Sequence, residues 1–303
     1  MEGTFRFETI SSYNDLNNHK TLHPLVSVID LSKAKPRSWG GAKTVRIRYD
    51  FYCIFLKEVN CGDLKYGRHY YDYQEGTLVF LAPGQVTEIE NSGEVYQPMG
   101  HALVFHPDLI RGTALAKAID AYNFFSYQSN EALHLSDRER QIVMDCFSKI
   151  EFELQQNVDK HSKKLIASNI ELFLNYCERF YDRQFITRDN VNKGILEKFE
   201  DLLNGYFSSD NPQLIGLPSV AYFANELHLS ANYFGDLIKK ETGQSAKEYV
   251  QSKIIEVAKN KVFESDKTVN EIAFEMGFKY PQHFTRLFKQ RVGHTPNEYR
   301  NLN

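Results

Sequence analysis

Two kinds of hydrophobic spacing divide the chain. From about residue 22 to 110, short apolar runs rich in β-branched and aromatic residues (Thr44–Tyr49, Tyr52–Leu56, Thr77–Leu81, Ala102–Phe105) are separated by turn signals such as Gly40-Gly41, Pro83-Gly84 and Asn91-Ser92-Gly93. Short strands at that spacing predict an antiparallel sandwich or barrel. After about residue 113 the period lengthens. Ser136 followed by Glu139 reads as a capping box, and Val143, Phe147, Ile150 and Leu154 follow at helical spacing.

A second helix is expected from about 161 to 182. Ile166, Ile170, Phe173, Cys177 and Phe180 recur at steps of four and three, and Leu165, Leu172 and Tyr176 widen the flank. Such a seam is either packed on its own domain or paired with a second copy; it is the candidate dimer contact. A third helical stretch, Ile195–Phe207, runs into a segment holding Pro212, Gly216 and Pro218, which reads as a domain boundary.

Beyond that boundary the chain repeats itself. Val220, Ala224, Leu227 and Leu229 correspond to Val269, Ala273, Met276 and Phe278 at an offset of 49. One inserted residue later, Phe234, Leu237, Ile238, Lys239, Gly243, Ser245, Glu248 and Tyr249 correspond to Phe284, Leu287, Phe288, Lys289, Gly293, Thr295, Glu298 and Tyr299 at an offset of 50. Each copy predicts a short helix, a sharp turn and a second helix with one apolar and one polar face, which is a helix-turn-helix. Gly277 suits a turn that needs positive φ, and Ser230 suits an N-cap. A helix over Tyr249–Phe263 joins the copies.

Charge sharpens this picture. The whole chain carries −3, but residues 217–303 carry +2 and the remainder −5. Lys279, Arg286, Lys289 and Arg291 fall in thirteen residues without an acid, a stripe suited to phosphates. Hydrophobic residues at 42% and charged residues at 25% fit a globular protein. No run approaches the roughly 18 apolar residues of a membrane helix. The N-terminus lacks a secretory pattern, and Cys53, Cys61, Cys146 and Cys177 have no metal-like spacing, so a cytoplasmic protein is expected.

The run Ser230-Ala231-Asn232-Tyr233-Phe234 with Lys239-Lys240-Glu241-Thr242-Gly243 resembles the first half of an AraC/XylS-type DNA-binding domain. Val269 to Phe278, then Phe284-Thr285-Arg286-Leu287-Phe288-Lys289, then Gly293 to Arg300, resembles its second half. The resemblance covers about ninety residues. It implies a transcription regulator that places two recognition helices in successive major grooves of double-stranded DNA. The positions matching base-contacting sites are Asn232 and Asp236 in the first copy and Gln282, His283 and Arg286 in the second. Tyr233, Lys239, Lys240, Tyr280, Lys289 and Arg291 complete the expected DNA-binding set. Arg286 suits guanine and Gln282 adenine, whereas the lysines suit phosphate. Asp236 departs from a position often basic in the family.

The resemblance further implies an α+β, multi-domain chain: a cupin-like antiparallel β-barrel sensor over 1–112, a helical dimerisation or linker region over 113–207, and the all-α double helix-turn-helix domain over 208–303. A homodimer, a small-molecule effector and RNA polymerase are the other expected partners. Aromatic density around Tyr49–Tyr73 either fills the barrel or lines a pocket, and Tyr52, Tyr66, His69 and Tyr71 are the candidate effector residues. Arg46, Arg48 and Arg68 are candidates for an anionic effector. No His-x-His motif accompanies His69, His101 and His106, so neither metal nor other cofactor is expected. The alternative is a cupin-type enzyme or ligand-binding protein with a helical adaptor.

Overall fold

The computed structural model describes residues 4–36, 44–57, 76–90, 95, 97–128, 131–187, 189–264 and 267–301. The chain divides into two compact units, Met1–Thr187 and Arg188–Asn303.

In the first unit, β1 (Thr4–Phe7), α1 (Ile10–Leu16), β2 (Val26–Asp30), β3 (Thr44–Tyr49), β4 (Tyr52–Lys57), β5 (Thr77–Leu81), β6 (Val86–Glu90) and β7 (His101–Phe105) come first. They are followed by α2 (Pro107–Ile110), α3 (Ala114–Ala118), β8 (Leu133–His134), α4 (Asp137–Gln155) and α5 (Ser162–Thr187). The strands form a three-stranded sheet ordered β1-β3-β6 and a five-stranded sheet ordered β2-β7-β4-β5-β8.

Strand β3 alternates as expected of a sheet with one wet face. Val45, Ile47 and Tyr49 are buried, while Arg46 and Arg48 are exposed. The two arginines are engaged: Arg46 donates to Glu88 across the strand pair at 2.6 Å, and Arg48 and Arg6 share the Asp50 carboxylate at 3.2 and 2.5 Å. In β5 all five residues are buried, and in β7 four of five. Such unbroken apolar runs mark a sheet covered on both faces. One face meets β3: Cys53, Val79, Leu81, Ala102 and Val104 share a core with Val45, Ile47, Tyr49 and, from α1, Ile10 and Tyr13. On the other face Phe80 packs on Phe124, whose ring stacks on Tyr181 of α5 at 5.4 Å.

Two expectations are corrected here. Among the described residues the strands do not close into an antiparallel barrel: they form two sheets, and β1 runs parallel to β3. A parallel pair needs a crossover, and α1 with β2 supplies it; alternation within strands cannot reveal such pairing. The second correction concerns α5. Ile166, Ile170, Phe173, Cys177 and Phe180 are all at most 5% exposed within the single chain. Phe173 meets Phe147 of α4 at 5.3 Å, so the unit's own packing covers the seam. Exposed apolar residues of α5 are on its flank, Leu165 at 45% and Leu172 at 40%, and at its C-terminal end, Ile186 at 73%.

Helix α4 starts at the expected capping box, in which Ser136 and Glu139 bond reciprocally. Arg183 of α5 clamps the same carboxylate at 2.8 Å and donates to the His134 carbonyl at 2.7 Å. Burial would raise the Glu139 pKa, but hydrogen bonds from Ser136 and Arg183 hold it below its ordinary value.

The second unit is all helical: α6 (Asp189–Ser208), α7 (Asn211–Ile215), α8 (Val220–Glu226), α9 (Ala231–Thr242), α10 (Ala246–Glu264), α11 (Val269–Glu275), α12 (Pro281–Val292) and α13 (Pro296–Arg300). The division differs from the expected linker over 113–207. Helices α4 and α5 belong to the first unit, whereas α6 belongs to the second. Phe199 of α6 is fully buried against Phe223, Phe234 and Tyr249 at 5.0 to 5.5 Å. The Tyr249 hydroxyl also donates to Glu200. Burial first, then that bond, pushes the Tyr249 pKa up to about 12.

Candidate nucleic-acid interface

The second unit builds the same scaffold twice, α8–α9 and α11–α12, with α10 between. Each first helix has an N-cap hydroxyl: Ser219 accepts from the Tyr222 N–H and Thr268 from the Glu271 N–H. Ala224 and Ala273 are fully buried where each second helix crosses. The turns share one geometry. Leu229 N–H donates to the Ala224 carbonyl and Phe278 N–H to the Ala273 carbonyl, both at 2.9 Å. The turn residue has positive φ in both, His228 at 56° and Gly277 at 88°. Glycine is required at 277 for a second reason: a Cβ there would lie 2.7 Å from the Pro212 carbonyl oxygen and the Gly216 backbone.

The second helices bury one face and present the other. Phe234, Leu237 and Ile238 of α9 and Phe284 and Phe288 of α12 are fully buried. Gly243 and Gly293 end the helices in the left-handed region, each donating to the carbonyl four residues back at 2.9 Å. Ser245 with Glu248, and Thr295 with Glu298, then form reciprocal caps that start α10 and α13. These caps explain why those positions agree between the copies.

Most of the expected DNA-binding residues lie on the presented faces. Asn232, Lys239 and Lys240 of α9 are exposed and Asp236 is half-buried. Gln282, His283, Arg286 and Lys289 of α12 are exposed, as is Tyr280 just before it. The Lys279 ammonium lies 5.6 Å from the Tyr280 ring centroid, and the His283 ring meets the same ring edge-on at 5.5 Å. Pro281 occupies the first turn of α12, as its missing N–H predicts. Two residues are placed otherwise. Tyr233 is 5% exposed and shares the inner face of α9 with Leu237. Arg291 is exposed but donates to Gln251 of α10 at 2.6 Å, which ties the end of α12 to the joining helix.

Two further polar residues stand beside the expected set. An open cleft of about 650 Å³ is lined by Gln282, Thr285, Arg286 and Lys289 of α12, by Pro281, and by Asn270 of α11. Thr285 stands three residues after Gln282 and four before Lys289, which puts it on the presented face; that spacing was legible. Asn270 joins them only because α11 packs beside α12.

In the first unit, Tyr52 is half-buried, stacked on Phe105 at 4.8 Å and edge-on to Phe125 at 4.9 Å; burial raises its pKa. Tyr66, His69, Tyr71 and Arg68 lie outside the described residues. His106 caps α2, accepting from the Asp108 N–H at 3.2 Å. Among the described residues no helix is long and apolar enough to cross a membrane, and no group of three or more His, Cys, Asp or Glu is placed to hold a metal ion.

Comparison with known proteins agrees with this geometry. Residues 223–302 match the family profile described as a helix-turn-helix domain. The HTH-type transcriptional regulator YtdP of Bacillus subtilis is 42% identical over 152 residues, covering 49% of this chain and 19% of YtdP. The transposon Tn10 TetD protein of Escherichia coli is 31% identical over 144 residues, covering 47% of this chain and 91% of TetD. A solved structure, the C-terminal domain of the two-component response regulator yesN from Fusobacterium nucleatum, is 24% identical. It covers 34% of this chain and 95% of its own, at a TM-score of 0.31. The chain spans less than half the length of the Bacillus subtilis relatives it matches. The duplicated scaffold, the family profile and the two sequence relatives define a class, proteins with a helix-turn-helix domain. Within it, the chain belongs to the AraC/XylS-type family.

Proposed function

We propose that this chain is a sequence-specific, dimeric and effector-responsive regulator of transcription that acts in the cytoplasm on double-stranded DNA. One observation carries the reading: α9 and α12, related by an internal repeat, each bury an apolar face and present a polar one bearing Asn232, Asp236 and Lys239 or Gln282, Arg286 and Lys289. Helices built this way suit successive major grooves. Arg286 reads guanine through its paired donors and Gln282 reads adenine, while Lys239 and Lys289 hold phosphates. The first unit, cupin-like in its strand content, senses a small molecule near Tyr52. It pairs with a second copy through the flank of α5, where Leu165 and Leu172 are one heptad apart and exposed. Pairing multiplies two modest affinities through effective concentration. RNA polymerase is the partner to which the bound regulator answers.

Enrichment of duplexes from a random library by the purified chain tests the reading. One preferred sequence should emerge, and Arg286→Ala should relax the preference at one position and weaken specific binding by about 1–3 kcal/mol. Equal loss on preferred and random duplexes would reduce Arg286 to a phosphate clamp. Sedimentation of a Leu172→Glu variant tests the pairing, which should fall to monomer with the fold intact.

A further inference from the structure

The cleft between α11 and α12 has a feature that the repeat makes measurable. Its lining combines a cation (Lys289), a hydroxyl (Thr285) and an amide (Asn270) with Gln282 and Arg286. At the corresponding positions the first copy has Lys239, Gly235 and Ala221, with Asn232 and Asp236. The amide and the hydroxyl are absent there, and nothing lies within 4 Å of where a Cβ on Gly235 would stand. When a recognition helix sits in the major groove, the preceding helix crosses the DNA backbone. Asn270 is on that preceding helix, yet it lines the same cleft as the recognition residues. A group in that position meets the strand's phosphates, not its bases.

We propose that this cleft seats a backbone phosphate of the bound duplex, held by the Asn270 amide, the Thr285 hydroxyl and the Lys289 ammonium, and that the first copy has no equivalent seat. The inference rests on the DNA-binding reading and adds to it two neutral anchoring residues and a one-sided anchor. A phosphodiester, with one negative charge spread over two free oxygens that each accept more than one hydrogen bond, suits a site with one cation and two neutral donors. The anchor fixes the register of α12, so the second copy positions the complex and α9 follows.

Anisotropy titrations of the purified full chain test this, using a fluorescent random-sequence duplex of about three helical turns and a duplex enriched from the random library. Asn270→Ala and Thr285→Ala should each weaken binding about three- to tenfold on both duplexes alike. Being neutral, they should leave the salt slope unchanged, whereas Lys289→Ala should weaken both and lower the slope by about 1. Both neutral positions are on the helix surface, and unchanged thermal unfolding would confirm that the fold is intact. Wild-type affinity in both neutral variants would overturn the seat. So would losses confined to the enriched duplex, which would make these residues base readers. Failure of the wild-type chain to enrich any sequence would overturn the DNA-binding reading, and the seat with it.

Discussion

The two helix-turn-helix copies agree inside and disagree outside. Ala224 and Ala273, Phe234 and Phe284, and Ile238 and Phe288 are fully buried pairs, and both recognition helices end on a left-handed glycine. On the presented faces, Gly235 and Asp236 stand where the second copy has Thr285 and Arg286. Close packing tolerates few changes of volume at the inner positions. The outer positions answer only to what docks on them. The pattern of divergence therefore separates the buried scaffold from the presented faces without reference to any other chain.

The turns provide the largest test of that separation. Both turn residues have positive φ, but only position 277 faces backbone atoms too close for a Cβ. Gly277→Ala should cost about 3 kcal/mol, roughly 1 from the left-handed backbone and the rest from displacing the 212–216 segment. His228→Gly, at the equivalent place, should change stability by less than about 1 kcal/mol, because relief of the left-handed strain is offset by greater freedom of the unfolded chain. Chemical denaturation of the full chain, fitted for two units, measures both. A Gly277→Ala variant as stable as wild type would show that the 212–216 segment moves aside without cost.

A graft sharpens the comparison on the outer face. Ala221→Asn combined with Gly235→Thr gives the first copy the neutral donors of the second. Threonine is a better helix former than glycine, so the fold should not suffer. If α9 approaches the backbone as α12 does, binding to random duplex should tighten about threefold to fivefold. Weaker binding would mean that the duplex comes too close to Gly235 for any side chain, and that the two helices dock at different depths.

How much of this was legible in the sequence depended on how local its cause was. The Ser136–Glu139 capping box and the positive φ at Gly277 arise within a few residues and were readable, as was the repeat, but the close approach of the 212–216 backbone to Gly277 was not. Tyr233 was misplaced because its neighbourhood resembled the family's contact sites, although its spacing from Leu237 puts both on one face. The seam of α5 was readable as apolar, but whether α4 or a second copy covers it depends on tertiary packing. The open pair of sheets was hidden because β1 pairs with β3 across more than thirty intervening residues. Phe199 placed α6 in the second unit through partners that no local pattern announces. Asn270 was invisible for the same reason: it lines the cleft beside α12 but belongs to α11.

The smallest predicted difference between the copies is in acid. Glu271 and Glu298 of the second copy are held below the ordinary carboxylate pKa, first by the backbone N–H groups of Thr268 and Thr295 and then by their hydroxyls. Glu248 of the first copy is lowered by the Ser245 hydroxyl and then its N–H. The first copy has no second box, because Tyr222 occupies the place of Glu271. Glu275 adds a further lowered carboxylate to the second copy, through Lys267 and, against the opposing effect of burial, Lys261. A carboxylate with a lowered folded pKa stabilises the fold above its unfolded value, and that contribution is lost as the pH falls through the folded value. Stability should therefore be level above about pH 4.5 and decline below it, with the second copy loosening first. Glu271→Gln with Glu298→Gln should flatten the acid decline more than Glu248→Gln does. Hydrogen exchange at acidic pH resolves the two copies within one chain. Equal loosening of α9 and α12 would show that the extra box contributes nothing, and that the copies differ only in what they present to DNA.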